Sequence, residues 1–212
     1  KKVPDGGPET YAMLAEGRTS GVFQMESAGI TAVCIGIRPS SIEDLTAIVA
    51  LYRPGPMDSI PRFIRAKQNP ASITYRHPKL EPILSVTYGC IVYQEQVIEI
   101  FRQLGGYTLG QADNMRRAIS KKKQEVILAE RKNFVYGDPE RGIPGAIAGG
   151  VDEQTAQAIY DEIVDFANYA FNKAHAVCYA LVAYETAYLK CHYPRQYMAA
   201  LMTSVLDSAA KI

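Results

Sequence analysis

Apolar positions recur along this chain at spacings of three and four, and the pattern breaks where Pro and Gly stand. The spacing predicts a short helix over Thr10–Glu16 that stops at Gly17. Ser40–Glu43 reads as a capping box opening a helix that runs through Ile48 and Leu51 and ends sharply at Arg53-Pro-Gly-Pro56. A short helix follows near Pro61–Lys67, and Thr87–Tyr93 has the β-rich character of a brief strand. Next come a helix over Gln94–Leu104 closed by Gly105-Gly106, one capped by Thr108, and one over Gln124–Tyr136. Asp152 caps a helix whose Ile159, Ile163 and Phe166 share one apolar face. A longer, mostly buried helix is expected from Ala176 to Lys190, broken at Tyr193-Pro194, with a last one from Arg195. The fold class is mainly α, with at most one or two short strands. The Gly- and Pro-rich stretch 137–150 is the best internal connection.

With 212 residues and 48% hydrophobic content, the chain can bury a real core. A formal net charge of +1 excludes a global pull towards nucleic acid or membrane, so any polyanion binding must come from a patch. Such a patch exists: Met115–Lys123 packs five cations, Arg116, Arg117, Lys121, Lys122 and Lys123, into nine residues. Four scattered cysteines without a C-x-x-C pair suggest neither a zinc site nor a disulfide framework, so a reduced, cytoplasmic setting is the default. The longest apolar run, roughly Ala174–Leu189, is interrupted by His175 and Glu185, and no membrane span is expected. Without an initiator Met, and stopping in a helix-like segment at Ser204–Ile212, the chain reads as an excised piece of a longer one.

Phe166–His175 crowds an amide, an ammonium and a titratable ring, from Asn172, Lys173 and His175, beside Tyr169. Each residue alone reads as a helix-connecting turn; together they suit a phosphorylated ligand whose base stacks on the Tyr ring. A Lys/Arg-rich helix end is commonly a solvated face, but five cations with one neighbouring acid, Asp113, exceed what the helix dipole needs. Phosphate is the natural counter-charge, gripped bidentately by Arg and met by Lys as a point charge. Tyr93-Gln-Glu-Gln96 is a third polar knot, read as an ordinary helix start with Glu in the first turn. No Asp-x-Asp pair, Walker loop, dinucleotide fingerprint or nucleophile elbow occurs, and Asp161 and Asp165 read as solvated acids. These residues hold phosphates without the means to cleave them.

Six motifs in order carry a resemblance. Gly21–Ser27 (GVFQMES), Ala50–Pro56 (ALYRPGP), Thr87–Gln96 (TYGCIVYQEQ), Gly106–Ala118 (GYTLGQADNMRRA), Lys121–Lys123 and Phe171–His175 (FNKAH) resemble the fingers region of the C-family bacterial replicative DNA polymerases, the DNA polymerase III alpha subunits. The likeness runs from about residue 10 to 205. It departs where Ala170 and Ala174 stand in place of the family's usual Gly and Ser.

The resemblance implies a multihelical fingers domain and template-directed addition of deoxynucleotides to a primer 3′ end. It implies partners in the dNTP, primer–template DNA, the rest of the alpha subunit and the replisome, and a two-Mg²⁺ site in a palm domain preceding residue 1, leaving this chain alone inactive and without a metal of its own. Residues 1–9 then connect from the palm, 10–136 form the first part of the fingers, and 151–212 form the second. Arg116 and Arg117, helped by Lys121, Lys122 and Lys123, grip the triphosphate, and Arg53 joins them or orders its loop. Tyr169 abuts the nascent base pair with Asn172 beside it, while Lys173 and His175 reach the sugar or phosphates. The competing expectation is a self-sufficient helical module whose basic patch tracks backbone phosphates.

Overall fold

The computed structural model describes residues 3–4, 6–167 and 169–205, so the end of the helix-like segment Ser204–Ile212 lies largely outside the described residues. Among the described residues there are eleven α-helices, joined in places by single 3₁₀ turns, and no strand. They are α1 (Pro8–Ala15), α2 (Ala28–Ile37), α3 (Ile42–Leu51), α4 (Ile60–Gln68), α5 (Glu81–Leu84), α6 (Gln94–Gly105), α7 (Leu109–Ser120), α8 (Gln124–Tyr136), α9 (Glu153–Ala167), α10 (Lys173–His192) and α11 (Pro194–Ser204).

The chain divides into two compact units, Lys1–Tyr52 with Ala174–Ile212, and Arg53–Lys173. In the first, α1, α2 and α3 contribute Met13, Leu14, Ile30, Cys34, Leu45 and Ile48 to a core that α10 meets with Ala176, Ala180, Ala183, Tyr184 and Ala187. Tyr184 donates its hydroxyl to the Pro4 carbonyl and accepts from the Gly7 N–H. The expectation of a mostly buried helix is corrected here: only that small-residue stripe is buried, while Leu181, Val182 and Leu189 are exposed. α10 also begins at Lys173 rather than Ala176, so His175 stands in its first turn and not in a connecting loop.

In the second unit, α6, α7, α8 and α9 enclose an aromatic centre of Phe101, Tyr107, Phe134 and Tyr160, with Phe101 edge-on to each of the other three rings at 5.1–6.1 Å. The buried Glu130 is held by Arg141 from the stretch 137–150, which lies inside this unit and buries Ile143 and Ala146.

Two local expectations shift. α3 is capped by Ser41, whose hydroxyl accepts from the Asp44 N–H, while Asp44 accepts from the Ser40 N–H; the cap sits one residue later than the expected Ser40–Glu43 box and is not a reciprocal box. Nor does Thr87–Tyr93 form a strand. Tyr88 and Gly89 are both left-handed, at φ 52° and 79°, which turns the chain out of an extended path. The Val92 and Tyr93 N–H groups then donate to the Gln96 side chain at 2.8 and 3.0 Å, and what remains is a single parallel bridge between Tyr93 and Phe171. That bridge brings the segment after α9 against the start of α6.

Candidate functional site

Helix α7 starts where the Thr108 hydroxyl accepts from the Gln111 N–H and the Gln111 side chain accepts from the Thr108 N–H. This places Asp113, Arg116 and Arg117 on one face at i, i+3 and i+4. Both guanidiniums bind the same carboxylate: Arg116 Nε and Nη2 lie 3.0 and 2.8 Å from Asp113 Oδ1, and Arg117 Nη2 lies 2.8 Å from Oδ2. The hydrogen bond from Arg116 holds the Asp113 pKa below the usual carboxylate value. One carboxylate between two guanidiniums leaves a positive excess. The side chain of Arg116 is 17% exposed and that of Arg117 is 62% exposed. Lys121, Lys122 and Lys123 stand exposed at the C-terminal end of α7.

Arg116 also donates from Nη1 to Gln94 Oε1 at 3.3 Å, and Gln94 Nε2 donates onward to the Ala170 carbonyl at 3.2 Å. The Gln94 N–H donates to the Phe171 carbonyl at 2.9 Å. The Glu95 carboxylate accepts from the Lys173 N–H at 3.0 and 3.1 Å and from Asn172 Nδ2 at 3.2 Å. Lys173 Nζ lies 5.5 Å from the centre of the Tyr93 ring.

On the other side of this segment, Arg53 lies 4.4 Å over the Phe171 ring and donates to the Tyr169 carbonyl. Burial of the guanidinium lowers its pKa from the ordinary arginine value. The half-exposed Tyr169 ring covers Gly55, whose φ of 98° and missing Cβ allow the approach. Lys173 and Glu95 also border a cavity of about 500 Å³ floored by Pro82, Ile83, Val86 and Tyr93.

The structure therefore links Arg53, Tyr169, Asn172, Lys173, Arg116 and Arg117 through one set of contacts in the second unit. It leaves Lys121, Lys122 and Lys123 at the helix exit. His175 belongs to the first unit, exposed, with its ring 4.4 Å from that of Tyr179. Sequence reasoning passed over Gln94, Glu95, Phe171 and Gly55. The advance signals were the Arg53-Pro-Gly-Pro56 turn, the Phe171–His175 motif and the Tyr93–Gln96 knot, in which Gln96 caps the helix start while the side chains of its two neighbours reach outward. Among the described residues, no three His, Cys, Asp or Glu side chains converge as a metal site, and Asp161 is bound by Arg131 at 2.8 Å.

Residues 1–142 match the bacterial DNA polymerase III alpha subunit finger domain. The chain belongs to this family. This finger-domain chain is 48% identical over 212 residues to the DNA polymerase III subunit alpha of Halalkalibacterium halodurans, covering all of this chain and 18% of that protein. It is 46% identical over 204 residues to that of Bacillus subtilis, covering 96% and 18%, and 45% identical over 216 residues to that of Thermus aquaticus, covering 100% and 17%. The finger-domain chain thus spans less than a fifth of the length of these relatives. Arg53, Arg116, Arg117 and the three lysines fall within the family match, and Tyr169–His175 within the longer alignments to the relatives.

Proposed function

We propose that this chain is the nucleotide-gripping surface of a replicative DNA-directed DNA polymerase, acting in the bacterial cytoplasm with the rest of the alpha subunit, primer–template DNA and the replisome. The observation that carries this reading is the Asp113–Arg116–Arg117 constellation, tied through Gln94 to the segment that presents Tyr169, Asn172 and Lys173. A triphosphate is the chemistry that such a pair of guanidiniums suits, because each can offer two parallel N–H donors to phosphoryl oxygens. The exposed Arg117 exchanges its bond to Asp113 for phosphate, while Arg116 keeps Asp113 and Gln94 and meets phosphate with the remaining N–H on each Nη. Lys121, Lys122 and Lys123 add screened attraction at the helix exit, and Arg53 orders the loop more than it touches phosphate, being committed to Phe171 and the Tyr169 carbonyl. The exposed Tyr169 ring offers a face to the nascent base pair, with Asn172 and Lys173 towards the sugar and phosphates.

Two Mg²⁺ ions would neutralise the developing charge in such a reaction. Among the described residues no three His, Cys, Asp or Glu side chains converge to hold them; on this reading the ions are held elsewhere in the alpha subunit and the chain's part is positioning. The test is single-nucleotide incorporation by the full alpha subunit carrying Arg116→Ala or Arg117→Ala. Loss of a charge-assisted bond to phosphate is worth about 1.5–3 kcal/mol, so kcat/KM for every dNTP should fall about ten- to a hundredfold, largely through KM. Unchanged kinetics in folded variants would overturn the reading.

A further inference from the structure

Gln94 and Glu95 open α6, yet their side-chain hydrogen bonds go to residues outside that helix. Gln96 caps the approach to the helix: its side-chain oxygen accepts from the N–H groups of Val92 and Tyr93, just before α6, and its amide donates to the Thr87 hydroxyl at 2.7 Å. Its two neighbours are spent on residues far along the chain. Gln94 uses both ends of its amide in the one polarity its partners permit: the oxygen faces a guanidinium that can only donate, and the nitrogen faces a carbonyl that can only accept. Glu95 faces the first N–H of α10, where a carboxylate is favoured by both the unpaired donor and the helix dipole, and it fixes the Asn172 amide as well.

We infer that Gln94 and Glu95 are positioning residues that join the two halves of the nucleotide site, the guanidinium half on α7 and the Tyr169–Lys173 half that ends on the first residue of α10. This rests on the function proposed above. Neither residue touches the ligand in this assignment. Gln94 sets where Arg116 stands relative to the 170–171 backbone, and Glu95 sets where Asn172 and Lys173 stand. A carboxylate already seated on the Lys173 N–H also denies that donor to a wandering phosphate.

The experiment is pre-steady-state incorporation by the full alpha subunit, separating dNTP affinity from the maximal rate. Glu95→Ala should lower the maximal rate about ten- to a hundredfold, the scale of an ångström-level misplacement, with affinity changed less than about threefold. Glu95→Gln keeps an oxygen for the Lys173 N–H and should restore most of that rate, which a role in net charge would not allow. Gln94→Ala should act through Arg116, so Gln94→Ala combined with Arg116→Ala should lose little beyond Arg116→Ala alone. Parent-like rates in Gln94→Ala and Glu95→Ala, additive losses in the pair, or Glu95→Gln as impaired as Glu95→Ala would each overturn the inference. An impaired Arg116→Ala beside parent-like Gln94 and Glu95 variants would overturn it while sparing the proposed function; an unimpaired Arg116→Ala would remove that function itself.

Discussion

Gly55→Ala isolates a backbone requirement from a packing one. At φ 98° and ψ −71° the position lies where side-chain-bearing residues are rarely found, and holding one there costs about 1–3 kcal/mol. The added methyl would also overlap Cδ1 and Cε1 of Tyr169, with Cγ at 3.2 Å. Forcing a carbon into an occupied site costs about 1–3 kcal/mol; because Tyr169 is 45% exposed, its ring can swing outward and the low end applies. The sum is about 2–4 kcal/mol, or a urea midpoint lower by roughly 1–2 M at the slopes usual for small domains. Repeating the substitution in a Tyr169→Ala background removes the overlap and leaves the φ cost, so the two changes should couple by about 1 kcal/mol in a double-mutant cycle. The measurement is urea unfolding of the four proteins, parent, each single and the double. Equal costs of Gly55→Ala in both backgrounds would refute the claim that the ring rests on this glycine, and a cost below about 0.5 kcal/mol would refute the backbone argument too.

Two further outcomes follow from burial and charge. Asp113, Asp152 and Asp161 all titrate below the ordinary carboxylate value, the first through Arg116, the second through Thr155 and the third through Arg131. Their contribution to stability is therefore complete above the unfolded pKa of about 3.9 and is lost as pH falls through the lower folded values. The urea midpoint should hold from about pH 7 to 5 and drop below about 4, with a shallower acid limb in Asp113→Asn; an acid limb unaltered by that change would count against the Arg116 pairing. Cys34 and Cys90 are buried, and burial pushes the Cys34 thiol up to about 11, so a thiol reagent near neutral pH should label the exposed Cys178 first and reach those two only in denaturant.

Local patterns carried much of the fold. The amphipathic helices α6, α7 and α9 lie where period and caps place them, because Thr108 and Asp152 bind N–H groups only three residues away. α2 escaped notice since Ala28–Ile37 is apolar on every side and shows no period, although only Ile30, Cys34 and Ile37 are buried. Thr87–Tyr93 has strand-forming residues, but a left-handed pair and one glutamine side chain take its backbone groups elsewhere. The burial of α10 was overestimated because Ala, Leu and Tyr all count as apolar while only the alanine side of the helix has something to pack on. In the site, the α7 cations were legible because i, i+3 and i+4 neighbours are fixed by helix geometry alone. The bonds from Asn172 and Lys173 to Glu95 span 77 and 78 positions, and no local rule encodes such pairs.

Arg116 and Arg117 are identical in composition and adjacent in sequence, yet the solvent treats them as different reagents. Dissolved ions reach the exposed Arg117 and weaken its hold on Asp113 as ionic strength rises, because the Debye length shrinks from about 10 Å at 0.1 M to about 3 Å at 1 M. Arg116, mostly shielded and further tethered to Gln94, is screened much less. Salt concentration therefore adjusts how readily one arginine of the pair is released from its carboxylate, while the other keeps its place as the fixed reference beside it.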